Sequence, residues 1–339
     1  MSEPPAAGRP PLSVVVPTHD TRELTLACLA VLTRQEIPGL EIILVDDGSS
    51  DGTAEAVAGL AAASALHPAV RLLRNEQPQG FTRAANRGLG AAGGDILLLL
   101  NSDTEVAPGG LAALLAAFAA DPGLGAAGGA LHYPDGRPQW SGGPAPSLLW
   151  LFGLASGLPA WLGRLPFYRR LRPPAGTGPL RVDWVTGAAL GLRRAALGPL
   201  LSAAGPGPLD EAFRFYAQDL DLCLRLAAGG WRVAVVPGFR VLHHHGATIV
   251  RQGEGRRQPP DLLWTDLLYW AGKARGARWA KRAARAIRLG AALRLAARRL
   301  ARPFVPPAER AAFAAETAVF GRALRAIREP ALAPPPPLV

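Results

Sequence analysis

The chain has 339 residues and a hydrophobic content of 49%, enough for a sizeable core, which excludes a disordered or fibrous protein. Its two cysteines, Cys28 and Cys223, lie far apart in apolar helical context, which excludes a disulfide scaffold and predicts reduced core thiols. The formal net charge is +11, and residues 1–11 lack the apolar centre of a secretory signal, so a cytoplasmic protein is expected.

In chain order, the pattern predicts strands over 12–16, 42–45, 70–73 and 96–100, alternating with helices over 23–34, 53–63 and 81–92. The order βαβαβαβ implies a parallel sheet, and right-handed crossovers place all strand tips at one edge. Two of these apolar runs end in acid, one at Asp46-Asp47 and one at Asn101-Ser102-Asp103. Continuously apolar strands are buried on both faces, and ligands of open α/β sheets bind beyond their carboxyl ends. Carboxylates there can hold a base or ribose, or a divalent cation that in turn holds a diphosphate. Nucleotide chemistry is therefore the first expectation. Gly88, Gly90 and Gly93 match the spacing of the dinucleotide fingerprint, yet they close a helix and precede a strand, the reverse of what a pyrophosphate needs. Gly93 and Gly94 read instead as a helix stop.

Residues 141–163 carry no charge and nearly have the length of a membrane span. Pro144, Pro146 and Pro159, together with several glycines, interrupt the run and predict a mobile or interfacial loop. Strand-like segments follow at 182–185, 188–192 and 210–215. A helix opens at Asp219, which by itself reads as an N-cap, and stops at Gly229-Gly230. Asp221 and Arg225 sit at the spacing of a helical ion pair. The last strand covers 231–236, and three histidines follow at 243–245.

The charge excess is concentrated, since residues 267–302 hold eleven Lys or Arg and no acid. Arg278, Lys281, Arg282, Arg285 and Arg288 recur at helical spacing, interleaved with Trp279, Ile287, Leu289, Leu293 and Leu300. The segment predicts a basic amphipathic helix or helix pair, suited to an anionic leaflet or to a solvated face. Nucleic-acid binding finds no supporting motif elsewhere in the chain and is not expected. A last apolar-periodic helix, 311–327, packs on the basic helix or mediates self-association into a homo-oligomer, and Pro334–Pro337 follow.

Taken together, these motifs resemble the family 2 glycosyltransferases of GT-A fold, and most of all their rhamnosyltransferase-type members, across residues 12–250. The resemblance rests on Val14-Val-Val-Pro17-Thr18, Val45-Asp46-Asp47-Gly48-Ser49, Gly80-Phe81 to Gly88, Leu100-Asn101-Ser102-Asp103, Trp184-Val-Thr-Gly187-Ala188, Gln218-Asp219-Leu-Asp221 and His243-His-His-Gly246 in this order. It implies an α/β fold with a doubly wound, mostly parallel sheet, flanking helices and a C-terminal helical extension. By the same resemblance Asp46 holds a pyrimidine base, with Pro17, Thr18 and Asp47 in the nucleotide pocket. Arg83 and Asn86 lie by the diphosphate and ribose, with Asn101 and Ser102 on the nucleotide-sugar side. Asp103 binds a divalent cation, Mg²⁺ or Mn²⁺, and His243 contacts the metal or the diphosphate. Neighbouring strand residues face opposite ways, so His245 is the next choice and His244 the last. Asp219 is the catalytic base of an inverting transfer, and Trp184, Gly187, Ala188 and Gln218 line the sugar and acceptor side. Gln218 stands where an acid is common, and Asn101 opens the metal motif as in rhamnosyltransferase-like members.

The expected activity is transfer of a sugar, rhamnose being one candidate, from a dTDP- or UDP-sugar to a cell-surface glycan or lipid-linked acceptor. The expected location is the inner face of the cell membrane, held peripherally. Alternatives are a non-catalytic nucleotide-sugar-binding protein at the membrane and a sugar nucleotidyltransferase, although the latter wants a glycine-rich basic loop where Pro17-Thr-His-Asp-Thr-Arg22 stands. The expected divisions are a flexible tail to residue 11, a nucleotide-sugar half over 12–130 and a Pro/Gly-rich region over 131–180. After these come an acceptor and base half over 181–250, a helical extension over 251–330 and a Pro-rich tail over 331–339.

Overall fold

A computed structural model of the chain describes residues 9–62, 70–158, 178–201, 207–244 and 260–327. The chain groups into two compact units, each assembled from three segments. The first takes in Met1–Ala145, Ala175–Glu211 and Gln218–Arg256, and the second Pro146–Pro174, Ala212–Ala217 and Arg257–Val339.

Among the described residues, the first unit is built on a nine-stranded mixed sheet. Its strands β1 (Leu12–Thr18), β2 (Glu41–Asp47), β3 (Val70–Asn75) and β4 (Ile96–Leu100) are all parallel, in the order β3-β2-β1-β4. They alternate with α1 (Arg22–Leu32), α2 (Thr53–Ala62) and α3 (Phe81–Ala91), as the periodicity predicts. Since β1 adjoins both β2 and β4, the winding reverses beside β1, and a crevice opens at the carboxyl ends of β1 and β4. The sheet continues through β10 (Ala189–Arg193), β6 (Leu124–His132), β11 (Arg232–His243) and β5 (Thr104–Val106), with β8 (Leu180–Val182) also on β11. Here β10 runs antiparallel to both neighbours and β11 runs parallel to β6. A separate ribbon pairs β7 (Gly142–Gly143) with β9 (Trp184–Val185). The core, with Val14, Val16, Leu98, Leu100, Leu114 and Phe118 among its members, is packed by α1 and by α4 (Gly110–Ala120). Cys28 and Cys223 are buried and unpaired, and burial pushes each thiol up to about 12, as expected of inert core residues.

Three local expectations are revised. Residues 210–215 form turns rather than a strand, because side chains satisfy the backbone there. Asp266, for instance, accepts the amides of Phe215 and Tyr216 at 3.0 and 2.8 Å. The last strand runs on to His243 through Pro237, and the register shifts between Val236 and Arg240, a site where a missing donor is tolerated. Of the uncharged stretch 141–163, Leu148–Ser156 is a helix, α5, rather than a loop. Ser147 caps it by accepting the Trp150 amide, and Gly157 closes it at φ +69°. Residues 159–163 lie outside the described residues, as do His245 and the Pro-rich tail.

The second unit is helical. Besides α5 it contains α8 (Pro260–Arg275), α9 (Ala277–Ala301) and α10 (Arg310–Ala326). Among the described residues, the first unit's remaining α-helices are α6 (Arg194–Leu197) and α7 (Gln218–Ala228). The basic segment is therefore a helix pair, hinged at Gly276 with φ +79°. A Cβ on Gly290 of α9 would stand 2.4 Å from the Phe152 carbonyl oxygen, so only glycine lets α5 and α9 approach this closely. Trp264 and Trp270 anchor the unit's core, and α10 packs back through Trp264–Phe320 and Arg298–Glu316 contacts.

Candidate functional site

The ends of β1, β2 and β4 carry Pro17-Thr18, Asp46-Asp47 and the Asn101-Ser102-Asp103 motif, three of the segments singled out by the sequence. Parallel register sets Thr18 beside Asp46, and Asp46 beside Arg74. Asp46 is fully buried; its Oδ1 accepts the Ser49 amide at 3.2 Å and its Oδ2 lies 3.4 Å from Arg74 Nε. Apart from this ion pair the Oδ2 atom is buried and makes no hydrogen bond among the described residues. Thr18, at the end of β1 after Pro17, shares its hydroxyl with Thr21 and Thr25, and Thr21 in turn meets Ser102 at 3.0 Å. This chain of hydroxyls ties the loop after β1 to the loop after β4.

Other candidates are engaged in building the walls. Asp47 accepts Asn75 Nδ2 and the amides of Gln79 and Gly80, so it holds the loop that opens α3. Asn86 embraces Leu209, donating to its carbonyl at 2.8 Å and accepting its amide at 3.0 Å. Arg83 pairs with Glu211 at 3.0 Å. Trp184 is almost buried, donates to the Pro144 carbonyl and stands edge-on to Trp140 at 5.0 Å. Trp140, which sequence reading missed, is the exposed member of that pair.

The acidic motif after β4 meets the end of β11. Asp103 Oδ1 lies 3.3 Å from His243 Nε2, and both residues are buried. Gln139 donates its Nε2 to the carbonyls of His243 and His132, which orients the amide so that its Oε1 accepts from His243 Nδ1 at 2.9 Å. With the proton on Nδ1, the Nε2 lone pair faces a carboxylate, an arrangement that a cation between them, or a proton on Nε2, stabilises. A metal-binding histidine is commonly oriented by such a second hydrogen bond. Two residues earlier, Asn101 Oδ1 is buried with no hydrogen-bond partner among the described residues, a further oxygen at the same corner. This donor set, oxygen and imidazole, fits Mg²⁺ or Mn²⁺ bound largely by other ligands; among the described residues no three His, Cys, Asp or Glu converge to enclose an ion by themselves. His244 turns away to Glu105 at 2.8 Å.

Asp219 is linked to the Asn101 segment through the backbone. The Asn101 amide donates to the Ala188 carbonyl at 3.0 Å, and the next amide back, that of Gly187, donates to Asp219 Oδ2 at 2.7 Å. Asp219 sits inside the first turn of α7 rather than at its cap, and its Oδ1 accepts the Leu220 amide at 2.8 Å. Burial raises its pKa above the usual carboxylate range, against the pull of the Gly187 and Leu220 amides. Gln218 beside it is buried, and Asp221 pairs with Arg225 at 2.8 Å as the spacing predicts. Sequence reading missed Arg74 and Gln139. The first was legible from strand register, while the second had no signal, because only the return of the chain after β6 brings it to His243.

Residues 13–189 match the family described as Glycosyl transferase family 2. The N-acetylglucosaminyl-diphospho-decaprenol L-rhamnosyltransferase of Mycobacterium tuberculosis (strain ATCC 25618 / H37Rv) is 34% identical over 240 residues, which cover 66% of this chain and 71% of that protein. Among solved structures, the mannosyltransferase PcManGT from Pyrobaculum calidifontis in complex with GDP-Man and Mn²⁺ shares the fold at TM-score 0.57 and 22% identity, covering 95% of this chain and 86% of its own. GalNAc-T7 with UDP, GalNAc and Mn²⁺ does so at TM-score 0.57 and 17% identity, over 94% and 57%.

Proposed function

Because the chain belongs to glycosyl transferase family 2, we propose that it is a metal-dependent, inverting rhamnosyltransferase-type enzyme acting on a lipid-linked glycan acceptor. The observation that carries the reading is the short backbone relay from Asn101 through Ala188 and Gly187 to Asp219. In this reading the relay ties the buried Asp219 carboxylate, as the base, to the segment that carries Asp103, which itself meets His243. The relative from Mycobacterium supports rhamnose and a polyprenol-linked acceptor. Mn²⁺ in both similar structures supports a divalent cation.

In this reading Asp46 accepts from the pyrimidine of a dTDP- or UDP-sugar, and Asp103 and His243, with Asn101 nearby, would hold Mg²⁺ or Mn²⁺. A bound cation would supply positive charge to a diphosphate that gains negative charge on leaving. Asp219 takes the proton of the acceptor hydroxyl as that oxygen bonds to the anomeric carbon and the bond to the diphosphate breaks on the opposite face, which inverts configuration. Its raised pKa makes it a stronger base than an exposed carboxylate, and the Gly187 amide fixes its direction. The lipid-linked acceptor would hold the enzyme at the inner face of the membrane.

The test is nucleoside diphosphate release from a panel of sugar nucleotides with Mg²⁺ or Mn²⁺, with and without acceptor. One donor is expected to give release, lost with chelator and in Asp103→Ala. Nucleotide binding without release from any donor, even with polyprenyl diphosphate-sugar present, would instead favour a binding protein.

A further inference from the structure

We propose that the outward face of α9 is a docking surface for an anionic phospholipid bilayer, its first half reading headgroups and its second half entering the interface. The buried stripe of α9 is small and apolar, with Ala280, Ala283, Ala284, Ile287, Gly290 and Ala291 facing the other helices of its unit. Of the eleven cations in residues 267–302, four are engaged within the unit. Arg294 lies 4.3 Å from the centre of the Phe320 ring, and Arg298 lies 3.9 Å from that of Phe313 and pairs with Glu316. Lys273 stacks on Phe213, and Arg275 on Trp270 and Trp279.

The remaining cations point outward, and among the described residues none of them pairs with an acid. Their distribution along the helix is uneven. The exposed face begins with Arg278, Lys281, Arg282, Arg285 and Arg288. It then becomes apolar, with Leu289 66%, Leu293 45% and Leu300 76% exposed, and Phe304 just beyond the helix 86% exposed. Arg299 and Arg302 flank this second half.

A merely solvated helix face gains nothing from exposing four large apolar side chains together. A nucleic-acid surface wants the cations but not the leucines. An anionic bilayer satisfies both halves, since its headgroups attract Lys and Arg while its interface buries Leu and Phe. Among the described residues no helix is long and apolar enough to cross a membrane, so the arrangement is one of lying on a surface. The surface deepens the lipid-linked-acceptor reading, but its test needs neither donor nor acceptor.

The full chain is sedimented with phosphatidylcholine vesicles that contain either no phosphatidylglycerol or one third of it, at low and high salt, with circular dichroism to confirm folding of each variant. Wild type is expected to bind the anionic vesicles at least tenfold more tightly than the neutral ones, and salt should weaken that binding. Arg282→Glu with Arg285→Glu and Arg288→Glu should reduce binding at least tenfold. Leu289→Ala with Leu293→Ala, Leu300→Ala and Phe304→Ala should keep the low-salt binding and lose the fraction that resists salt. The inference is overturned if wild type does not distinguish the two vesicles, if the charge variant binds as wild type does, or if duplex DNA binds more tightly than the anionic vesicles. Vesicle binding with no donor release from any sugar would overturn the enzymatic reading and leave this one standing.

Discussion

At the residue scale the proposed chemistry turns on Asp219, a buried carboxylate whose pKa is raised by burial and whose two oxygens accept the amides of Gly187 and Leu220. As the proposed base, Asp219 acts in its ionised form. Since burial raises the folded-state pKa above the ordinary 3.8, the rate should fall on acidification at a pH above the usual aspartate range. Asp219→Asn should lower the rate by about 10²–10⁴-fold with nucleotide affinity little changed, and the residual activity should lose that acid limb. Steady-state kinetics against pH with titration of the nucleotide would check both; an acid limb preserved in the variant would place the base elsewhere. That a helix opens around Asp219 was legible in the sequence. The residue's double acceptance of the Gly187 and Leu220 amides was not, since one partner comes from a turn 32 residues earlier.

At the scale of elements, the same side chains serve walls and ligand pocket, and the hydrogen bonds separate the two. Asn86 was read from resemblance as a contact of the diphosphate and ribose, yet in the structure it clasps the backbone of the buried Leu209 on both sides. Gly207, at φ +88°, stands so close that a Cβ there would fall 2.4 Å from Asn86 Cγ. Asn86→Ala would leave two buried backbone groups without partners and should cost about 2–4 kcal/mol of stability in urea unfolding. A normal midpoint with a raised donor KM would instead make Asn86 a ligand contact. The alternation of strand and helix in the first half was legible because period and composition agree at each element. The turn at 210–215 was not, because the amides of Arg214 and Phe215 are satisfied by Asp266, which lies far away in sequence and carries no periodic signal.

At the scale of the whole molecule, the grouping of chain segments matters more than their order. Ala212–Ala217, the six residues just before α7, belong to the helical unit, where Asp266 of α8 accepts the amides of Arg214, Phe215 and Tyr216. Ala217, the last of them, is held at φ +66°, a strained value for alanine. Asp266→Ala would orphan those donors and should lower stability by about 3 kcal/mol or more, while Asp266→Asn, which keeps one acceptor, should lose less. Thermal or urea unfolding of the two variants measures this, and equal losses would discount the hydrogen bonds. The sequence by itself determined the parallel, doubly wound first half, the acid-tipped strands, the family and the basic helices, because each of these is written in contiguous period, charge or motif. Only the tertiary structure decided that Gln139 orients His243, that Asn86 and Asp47 brace loops, and that α5 and residues 212–217 group with the C-terminal helices. These outcomes depend on hydrogen bonds and packing between residues tens to more than a hundred positions apart, and no local pattern encodes such pairs.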